Sequence, residues 1–334
     1  MPQLSTAVVI LNWNGKNLLE QFLPSVISFS KEAAIYVADN ASTDDSVSFI
    51  AENFPQVKII QNKTNGGYAK GYNDALRNLE EDIFILLNSD VEVTENWLSP
   101  ILSIFENEKE TAVVQPKILD FKNREYFEYA GAAGGFLDKY GYPFCRGRIF
   151  DILEKDEGQY DDETEIFWAS GACFAIRRNI FNEVGGFDED YFAHQEEIDL
   201  CWRIHNKGHK LKYTGFSKIY HVGGATLNNV SPQKTFLNFR NSLFSILKNV
   251  PIPQVWWIIF CRLLLDGLAG VKFLLEGKFK HTWAIIEAHF SFYGNLLKMY
   301  EKRDHLHKKH DYFRIHSLVT FYFIRKKSYY QDIK

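Results

Sequence analysis

No stretch of this 334-residue chain is both long and free of charge. Its longest apolar segments are broken by Asp, Glu, Lys or Arg short of the ~18 residues that cross a bilayer, which argues against a conventional spanning helix. Cysteine is scarce. The four present, Cys145, Cys173, Cys201 and Cys261, lie far apart in no paired metal or redox spacing, so a disulfide scaffold is not expected and a reducing compartment suits the chain best. Neither G-x-G-x-x-G nor G-x-x-x-x-G-K-[ST] occurs, which removes support for dinucleotide-binding and P-loop readings. MPQLS leads straight into a strand-like run without the pattern of a secretory leader, so a cytoplasmic location is expected. There are no internal repeats. With 46% apolar and 24% charged residues, the chain has material for one large core and an appended unit.

The net charge of −4 conceals an asymmetry. Residues 1 to 230 sum to −14 and residues 231 to 334 to +10, so the last hundred residues present a different kind of surface.

Ala7 to Leu11, Ala34 to Asp39, Val57 to Ile60, Asp82 to Asp90 and Thr111 to Pro116 are short apolar runs rich in β-branched residues, as in strands buried on both faces. Between them apolar residues recur at helical spacing, for example Leu18, Leu19, Phe22, Leu23 and Val26. This alternation predicts an α/β fold with a mostly parallel central sheet flanked by helices. Residues 120 to 165, rich in Gly, aromatics and then acids, read as a hairpin or mobile flap. A strand around IFWASGACFAIRR, a short helix, the amphipathic helix HQEEIDLCWRIHNKG ended by Gly208, and a strand running into YHVGGAT follow.

Open sheets of this kind bind ligands beyond the carboxyl ends of their strands. Asp39 ends the second run and Asp90 the fourth, so both acids should face one crevice. Asp90 with His221, at the mouth of the last strand, could hold a divalent cation, Mg2+ or Mn2+ rather than zinc. Gly66, Gly67 and Gly71 ahead of a helix allow close approach of a phosphate or sugar hydroxyl, although Asn65 could equally be a plain helix cap. In the helix HQEEIDLCWR, Ile198, Cys201, Trp202 and Ile204 form the buried stripe and Asp199 pairs with Arg203. Glu196 and Glu197 occupy its first turn. Acids there suit the helix dipole, yet two adjacent carboxylates beside Asp199 exceed that need. A desolvated carboxylate near like charges titrates upward into the range of a general base for a hydroxyl.

Taken in order, VVILNWNG, VADNASTD, NGGYAKGYN, LLNSDV, WASGACFAIRR, GGFDEDYF, EEIDLCWR and YHVGGAT resemble the family 2 glycosyltransferases of GT-A fold, particularly their rhamnosyltransferase-like branch, over roughly residues 5 to 240. The resemblance implies an inverting, metal-dependent hexosyltransferase. It would move a sugar from a UDP- or dTDP-sugar donor to a glycan or lipid-linked saccharide in surface polysaccharide synthesis. It implies donor contacts from Asn12, Asp39 (on the base ring N–H), Asn65, Gly66, Gly67, Asn73, Asn88 (near the ribose) and Asp90, with the metal on Asp90 and His221. It also implies an acceptor wall of Trp168, Ser170, Gly171 and Asp188, with Arg240 further on, and Glu197 as base with Glu196 as second choice. Two departures stand out: Asn88-Ser89-Asp90 replaces the family's usual Asp-x-Asp, and Glu196-Glu197 its Glu-Asp. A binding module that kept the sheet and lost turnover is the alternative.

The expected division is a catalytic domain over 1–230, with a donor half to about 118 and an acceptor half over 119–230, and a helical, basic region over 231–334. In that region Trp256, Trp257, Arg262, Lys272, Lys278 and Lys280 suit a helix lying on the inner face of a membrane. Packing on the catalytic core, or on a second copy in a homodimer, is the other reading. No nucleic-acid partner is expected, since the basic residues are interleaved with bulky aliphatics.

Overall fold

In the computed structural model, residues 4–223, 231–305 and 308–333 are described. The first 107 residues alternate strand and helix: β1 (Thr6–Asn12), α1 (Lys16–Phe29), β2 (Ala34–Asp39), α2 (Ser46–Asn53), β3 (Lys58–Gln61), α3 (Gly67–Leu76), β4 (Ile83–Asn88), β5 (Val91–Val93) and α4 (Leu98–Asn107). Alternation along β1 shows why these runs are apolar throughout. Ala7 and Val9 join the core under α3, with Ala69 and Tyr72, whereas Val8 and Ile10 join a second core with Leu19, Leu23 and Ile101. Each fully buried Val, Leu or Ile contributes roughly 1.5–3 kcal/mol, so neither face tolerates a polar residue until the strand ends.

The chain continues through β6 (Thr111–Asp120), β7 (Gly135–Leu137), β8 (Pro143–Cys145), β9 (Arg148–Ile149), β10 (Ile152–Leu153), β11 (Glu163–Glu165), β12 (Cys173–Arg177), α5 (Arg178–Glu183), α6 (Glu196–Asn206) and β13 (Lys210–His221). The main sheet runs β3-β2-β1-β4-β12-β6-β13-β11, with β5 also on β13. Strands β1 to β4 pair in parallel, as do β6 and β13. β12 lies antiparallel between β4 and β6, and β5 and β11 run antiparallel to β13. The parallel expectation therefore holds for the nucleus of the sheet and yields at the strands of its second half.

Residues 120–165 are not a flap. β7 to β10 form a second, antiparallel sheet whose Phe144 and Ile149 pack against Leu318 and Phe321 of the chain's end. Asp138 ties the two together by accepting from the backbone N–H groups of Tyr140, Tyr142 and Leu318 at 2.8–2.9 Å.

The last region is helical, as expected: α7 (Pro232–Asn249), α8 (Gln254–Leu275), α9 (Phe279–Gly294) and α10 (Leu296–Glu301). It shares the main core rather than building its own. Leu243, Phe244 and Ile246 of α7 cluster with Tyr191 and Trp202. Among the described residues no helix is long and apolar enough to cross a membrane. Arg262, expected at a lipid headgroup, points inward instead: it is buried, pairs with Asp266 at 2.7 Å and donates to the Tyr140 carbonyl and the Ser242 hydroxyl. Its i to i+4 partner satisfies the charge inside the fold, which sequence spacing alone does not distinguish from an exposed pair.

Candidate active site

The parallel register brings three strand ends level. Asn12 faces Asp39 across β1 and β2, and Leu11 faces Asn88 across β1 and β4. Asp39 is buried and accepts from Asn12 Nδ2 at 3.2 Å and from the Ser42 N–H at 3.0 Å. Beside it, Asn65 Oδ1 accepts from Asn40 Nδ2 and from the Gly67 N–H. Asn65 thus behaves as the turn cap its sequence also allowed. Gly67 has φ +78, and a Cβ there would sit 2.4 Å from the Phe192 carbonyl, so only glycine fits this contact between α3 and the loop before α6.

Asp90 and His221 meet because β5 pairs with the end of β13. His221 lies opposite Val91, and the Val222 N–H donates to the Asp90 carbonyl at 3.1 Å. Asp90 Oδ1 is then 3.2 Å from His221 Nε2, and Asn88 Nδ2 is 3.5 Å from the same nitrogen. Glu128 stands on the other side of the ring, its Oε1 3.4 Å from Nδ1 in ion-pair range, though not in hydrogen-bond alignment. Burial opposes charge on the imidazole, but Glu128 and Asp90 outweigh it and lift His221 to about 10. Burial likewise raises Asp90, and His221 more than reverses this, holding the carboxyl below its usual range. Gly223, φ +68, completes the corner: a Cβ would lie 2.9 Å from Glu128 Oε1.

This donor set fits a divalent ion provided the ion displaces the imidazole proton, since an imidazolium has no lone pair to give a metal. Two ligands at ~2.1 Å from an octahedral ion stand about 3 Å apart, close to the Asp90–His221 separation, and a carboxylate behind a ligating imidazole is the usual orienting partner. Among the described residues no group of three or more such side chains gathers here. Oxygens from a ligand and water would complete the coordination.

The other wall is the start of α6. Phe192, His194 and Gln195 all have positive φ, and the loop is held by Asn241 of α7, whose Nδ2 reaches the carbonyls of Tyr191, Ala193 and His194 at 2.8–3.1 Å. Glu196 and Glu197 follow, each with a buried, unpartnered Oε2. Burial and the Glu197 charge push Glu196 well above the carboxylate range. Burial raises Glu197 to about 7, with backbone N–H groups of the first turn holding it down. Tyr68 joins the two walls. It feels both glutamates, and its hydroxyl donates at 2.8 Å to the Gly171 carbonyl; the next residue's carbonyl, that of Ala172, accepts from the Asn88 N–H at 3.0 Å.

Several residues expected at the crevice are committed elsewhere. Asn73 spends both ends of its amide on the Phe187 backbone at 2.9 Å. Trp168 is buried, with its indole N–H on the Phe136 carbonyl and its ring over Gly135. Ser170 is buried and accepts from the Ala172 N–H; Gly171 alone of that trio stays half-open. Asp188 pairs with Lys248 at 2.7 Å and Lys302 at 2.5 Å, and Arg240 grips the carbonyls of Asp190 and Tyr191. Asn88 sits beside His221 on the metal side. Asp199, grouped with Glu196 and Glu197 by sequence, is committed to a buried ion cluster with Arg203 and Lys248, and two residues on from Glu197 it does not share that side chain's helix face. Glu128 and Tyr68 went unread in the sequence. Glu128 is a lone acid in FEYAGAAGG, with no period to flag it; an acid isolated among small and aromatic residues is the only hint. Gly224 to Thr226 of YHVGGAT lie outside the described residues.

Known proteins share this chain's sequence pattern and fold. The N-acetylglucosaminyl-diphospho-decaprenol L-rhamnosyltransferase of Mycobacterium tuberculosis is 25% identical over 229 residues, 64% of this chain and 75% of that one. The low-salt glycan biosynthesis hexosyltransferase Agl10 of Haloferax volcanii is 21% identical over 286 residues, 82% of this chain and 86% of the other. Among solved structures, the fold is shared with GalNAc-T7 in complex with UDP, GalNAc and Mn2+ (TM-score 0.59, 18% identity, 74% of this chain and 48% of that). It is shared also with the mannosyltransferase PcManGT of Pyrobaculum calidifontis with GDP-Man and Mn2+ (0.54, 14%, 87% of each). The family model described as glycosyl transferase family 2 matches residues 7–185. With a GT-A fold and a rhamnosyltransferase-like sequence, the chain belongs to glycosyl transferase family 2.

Proposed function

We propose that this glycosyltransferase moves a hexose, with inversion, from a UDP- or dTDP-sugar to a hydroxyl of a lipid-linked saccharide, as a step in surface polysaccharide synthesis. The observation that carries the reading is a chain of contacts between two chemistries: a cation-suited pair, Asp90 and His221, next to Asn88, and a carboxylate raised by burial to about 7, Glu197, felt by Tyr68, whose hydroxyl bonds the Gly171 carbonyl one residue before the carbonyl that holds the Asn88 N–H. Asp39, at the end of β2, accepts from the ring N–H of uracil or thymine. Glu197 takes the proton of the acceptor hydroxyl as that oxygen attacks the anomeric carbon, and the carbon–oxygen bond to the diphosphate breaks on the opposite face, which inverts the centre. A divalent cation on Asp90 and His221, Mg2+ or Mn2+, supplies charge neutralisation for the departing diphosphate. Glu128 holds the imidazole in place, and Glu196, raised by burial and by the Glu197 charge, is the second choice of base. Residues 1–230 form the catalytic unit in this reading, with the donor half ending near 118.

The acceptor class rests on the decaprenol-linked substrate in the mycobacterial relative's name and on the basic, apolar end of this chain. Nucleoside diphosphate release, measured with UDP- and dTDP-sugars with and without Mn2+, tests the core reading. Release with one donor, dependent on the metal, is the expected outcome; donor binding with no release from any sugar marks a non-catalytic binding module. In the same assay Glu128→Gln is expected to raise the Mn2+ concentration for half-maximal binding about 10–100-fold, read by isothermal titration; unchanged binding removes Glu128 from the site.

Attachment to the inner membrane face is part of the proposal. Trp257, Phe260, Leu264 and Leu268 project outward at three- and four-residue steps along α8, with Lys272, Lys278 and Lys280 nearby. Such a face inserts at the headgroup boundary of an anionic bilayer. Co-sedimentation with phosphatidylglycerol vesicles, but not with phosphatidylcholine vesicles in high salt, is expected; equal absence from both pellets ends the membrane claim.

A further inference from the structure

Between α7 and α9 runs a cleft of about 700 Å³, separate from the crevice at the strand ends. Pro232 and Phe236 line it from α7, and Phe279, Lys280, Trp283 and Ala284 from α9. Its wall is almost wholly carbon. The one carboxylate there, Glu287, accepts from the Trp283 indole N–H at 2.8 Å, so two polar groups cancel each other at the rim. The helices are fixed on either side of it: Thr235 of α7 bonds His281 at 2.8 Å, and Thr282 donates to the Gly270 carbonyl of α8 at 2.9 Å.

The two ends of the cleft differ. At the outer end Phe279 and Trp283 are 66% and 61% exposed, and the apolar surface continues along α9 through Phe290 to Leu297 of α10, every three or four residues, at 72% and 75% exposure. At the inner end Phe236 lies beneath the Arg240 guanidinium, 5.1 Å from its ring centre. Arg240 in turn donates to the Asp190 and Tyr191 carbonyls in the loop that leads to Glu196 and Glu197. One turn earlier on α7, Lys234 is close enough to Glu128 for that carboxylate to offset part of its desolvation. The cleft thus joins the apolar outer face to the neighbourhood of the catalytic carboxylates.

We infer that this cleft holds the hydrocarbon chain of a lipid phosphate acceptor, threading it from the bilayer so that the saccharide it carries reaches Glu197. The inference rests on the lipid-linked reading above and goes further by assigning the lipid its own site. A carbon-walled cleft of this volume is within the range of small-molecule sites, and its narrow run between two helices suits a flexible chain. Lys278, Lys280 and the +10 balance of residues 231–334 complement an anionic bilayer at the outer end, an arrangement that a second copy carrying the same positive charge would oppose.

The test uses the full chain and a farnesyl-length alkyl phosphate bearing a diazirine in its tail, with cross-linked peptides mapped by mass spectrometry. Label is expected in 232–236 and 279–284, displaced by unlabelled polyprenyl phosphate and not by inorganic phosphate. Because a charge inside an apolar site is costly, Trp283→Glu and, separately, Phe279→Glu should each cut that label at least about tenfold, with unchanged circular dichroism. Label spread only over α8, or insensitive to both substitutions, overturns the inference as surface adsorption. Cross-links between chains at these residues overturn it in favour of a second copy. Nucleoside diphosphate release in the same preparation reads the transferase assignment alone: label without release sinks that assignment and leaves the lipid site, and release without cleft label does the reverse.

Discussion

Glu197→Gln is expected to lower the transfer rate by a hundredfold to ten-thousandfold, the range for removing a positioned general base, with the donor's affinity unchanged. Gln fills the same volume and cannot accept the proton. The proposed donor contacts, Asp39 and Asp90, sit at strand ends rather than on α6, so binding is not expected to follow the rate down. The wild-type profile supplies an independent check. Burial holds the Glu197 carboxyl at about 7, so the rate should fall as pH drops below that value and the base becomes protonated. That acidic limb should vanish in whatever activity Glu197→Gln retains. Burial and the Glu197 charge push Glu196 upward as well, and Glu196→Gln, which leaves the assigned base in place, should cost less. Near-normal turnover in Glu197→Gln together with an inactive Glu196→Gln would exchange the two roles.

Asp199→Ala should cost stability rather than chemistry, by about 3–5 kcal/mol, the range for stripping one partner from a buried ion pair. Asp199 is fully buried and accepts from Arg203 Nε and Lys248 Nζ at 2.8 Å, from Asn249 Nδ2 at 2.9 Å and from the Tyr191 hydroxyl at 3.2 Å. Its removal leaves Lys248, itself buried, with Asp188 as remaining partner, and leaves Arg203 with only backbone carbonyls. Burial raises the Asp199 carboxyl, and the two cations outweigh it, leaving the group far below its usual range. The sign follows: a carboxyl depressed on folding stabilises above its unfolded value, about 4, and loses that contribution as pH falls toward the folded one. Urea titrations at pH 7 and pH 3 should show the gap between wild type and Asp199→Ala narrowing in acid. A gap that stays constant would place the origin in packing instead.

Residues with a periodic signature were the legible ones. Strand ends could be read because an apolar run stops where two-sided burial stops, which located Asp39 and Asp90, and the i to i+4 spacing of Asp199 and Arg203 announced their pair. The three-residue strand β5 could not be read. VEV is too short to carry a period, yet its pairing with β13 is what joins Asp90 to a histidine 131 positions away. Polar residues at family positions misled for a different reason. Asn73, Trp168, Asp188 and Arg240 have the chemistry of ligand contacts, and packing shows that each also bonds within the protein, to backbone or to Lys248 and Lys302, which sequence alone does not reveal. Burial hides Arg262 in the same way. Glu128 shows the converse, a buried acid against His221 with nothing local in the sequence to mark it.

The Asn241 clamp bears on how the chain can be cut. One amide on α7 holds three successive carbonyls of the segment entering α6, and that segment lies in left-handed backbone conformations that a free loop would leave. A fragment ending at residue 230 would keep every acid and the histidine of the cleft, and would still have lost the brace that aims its base. If Glu197 is the base, residues 1–230 are therefore expected to need α7 alongside them to stay competent.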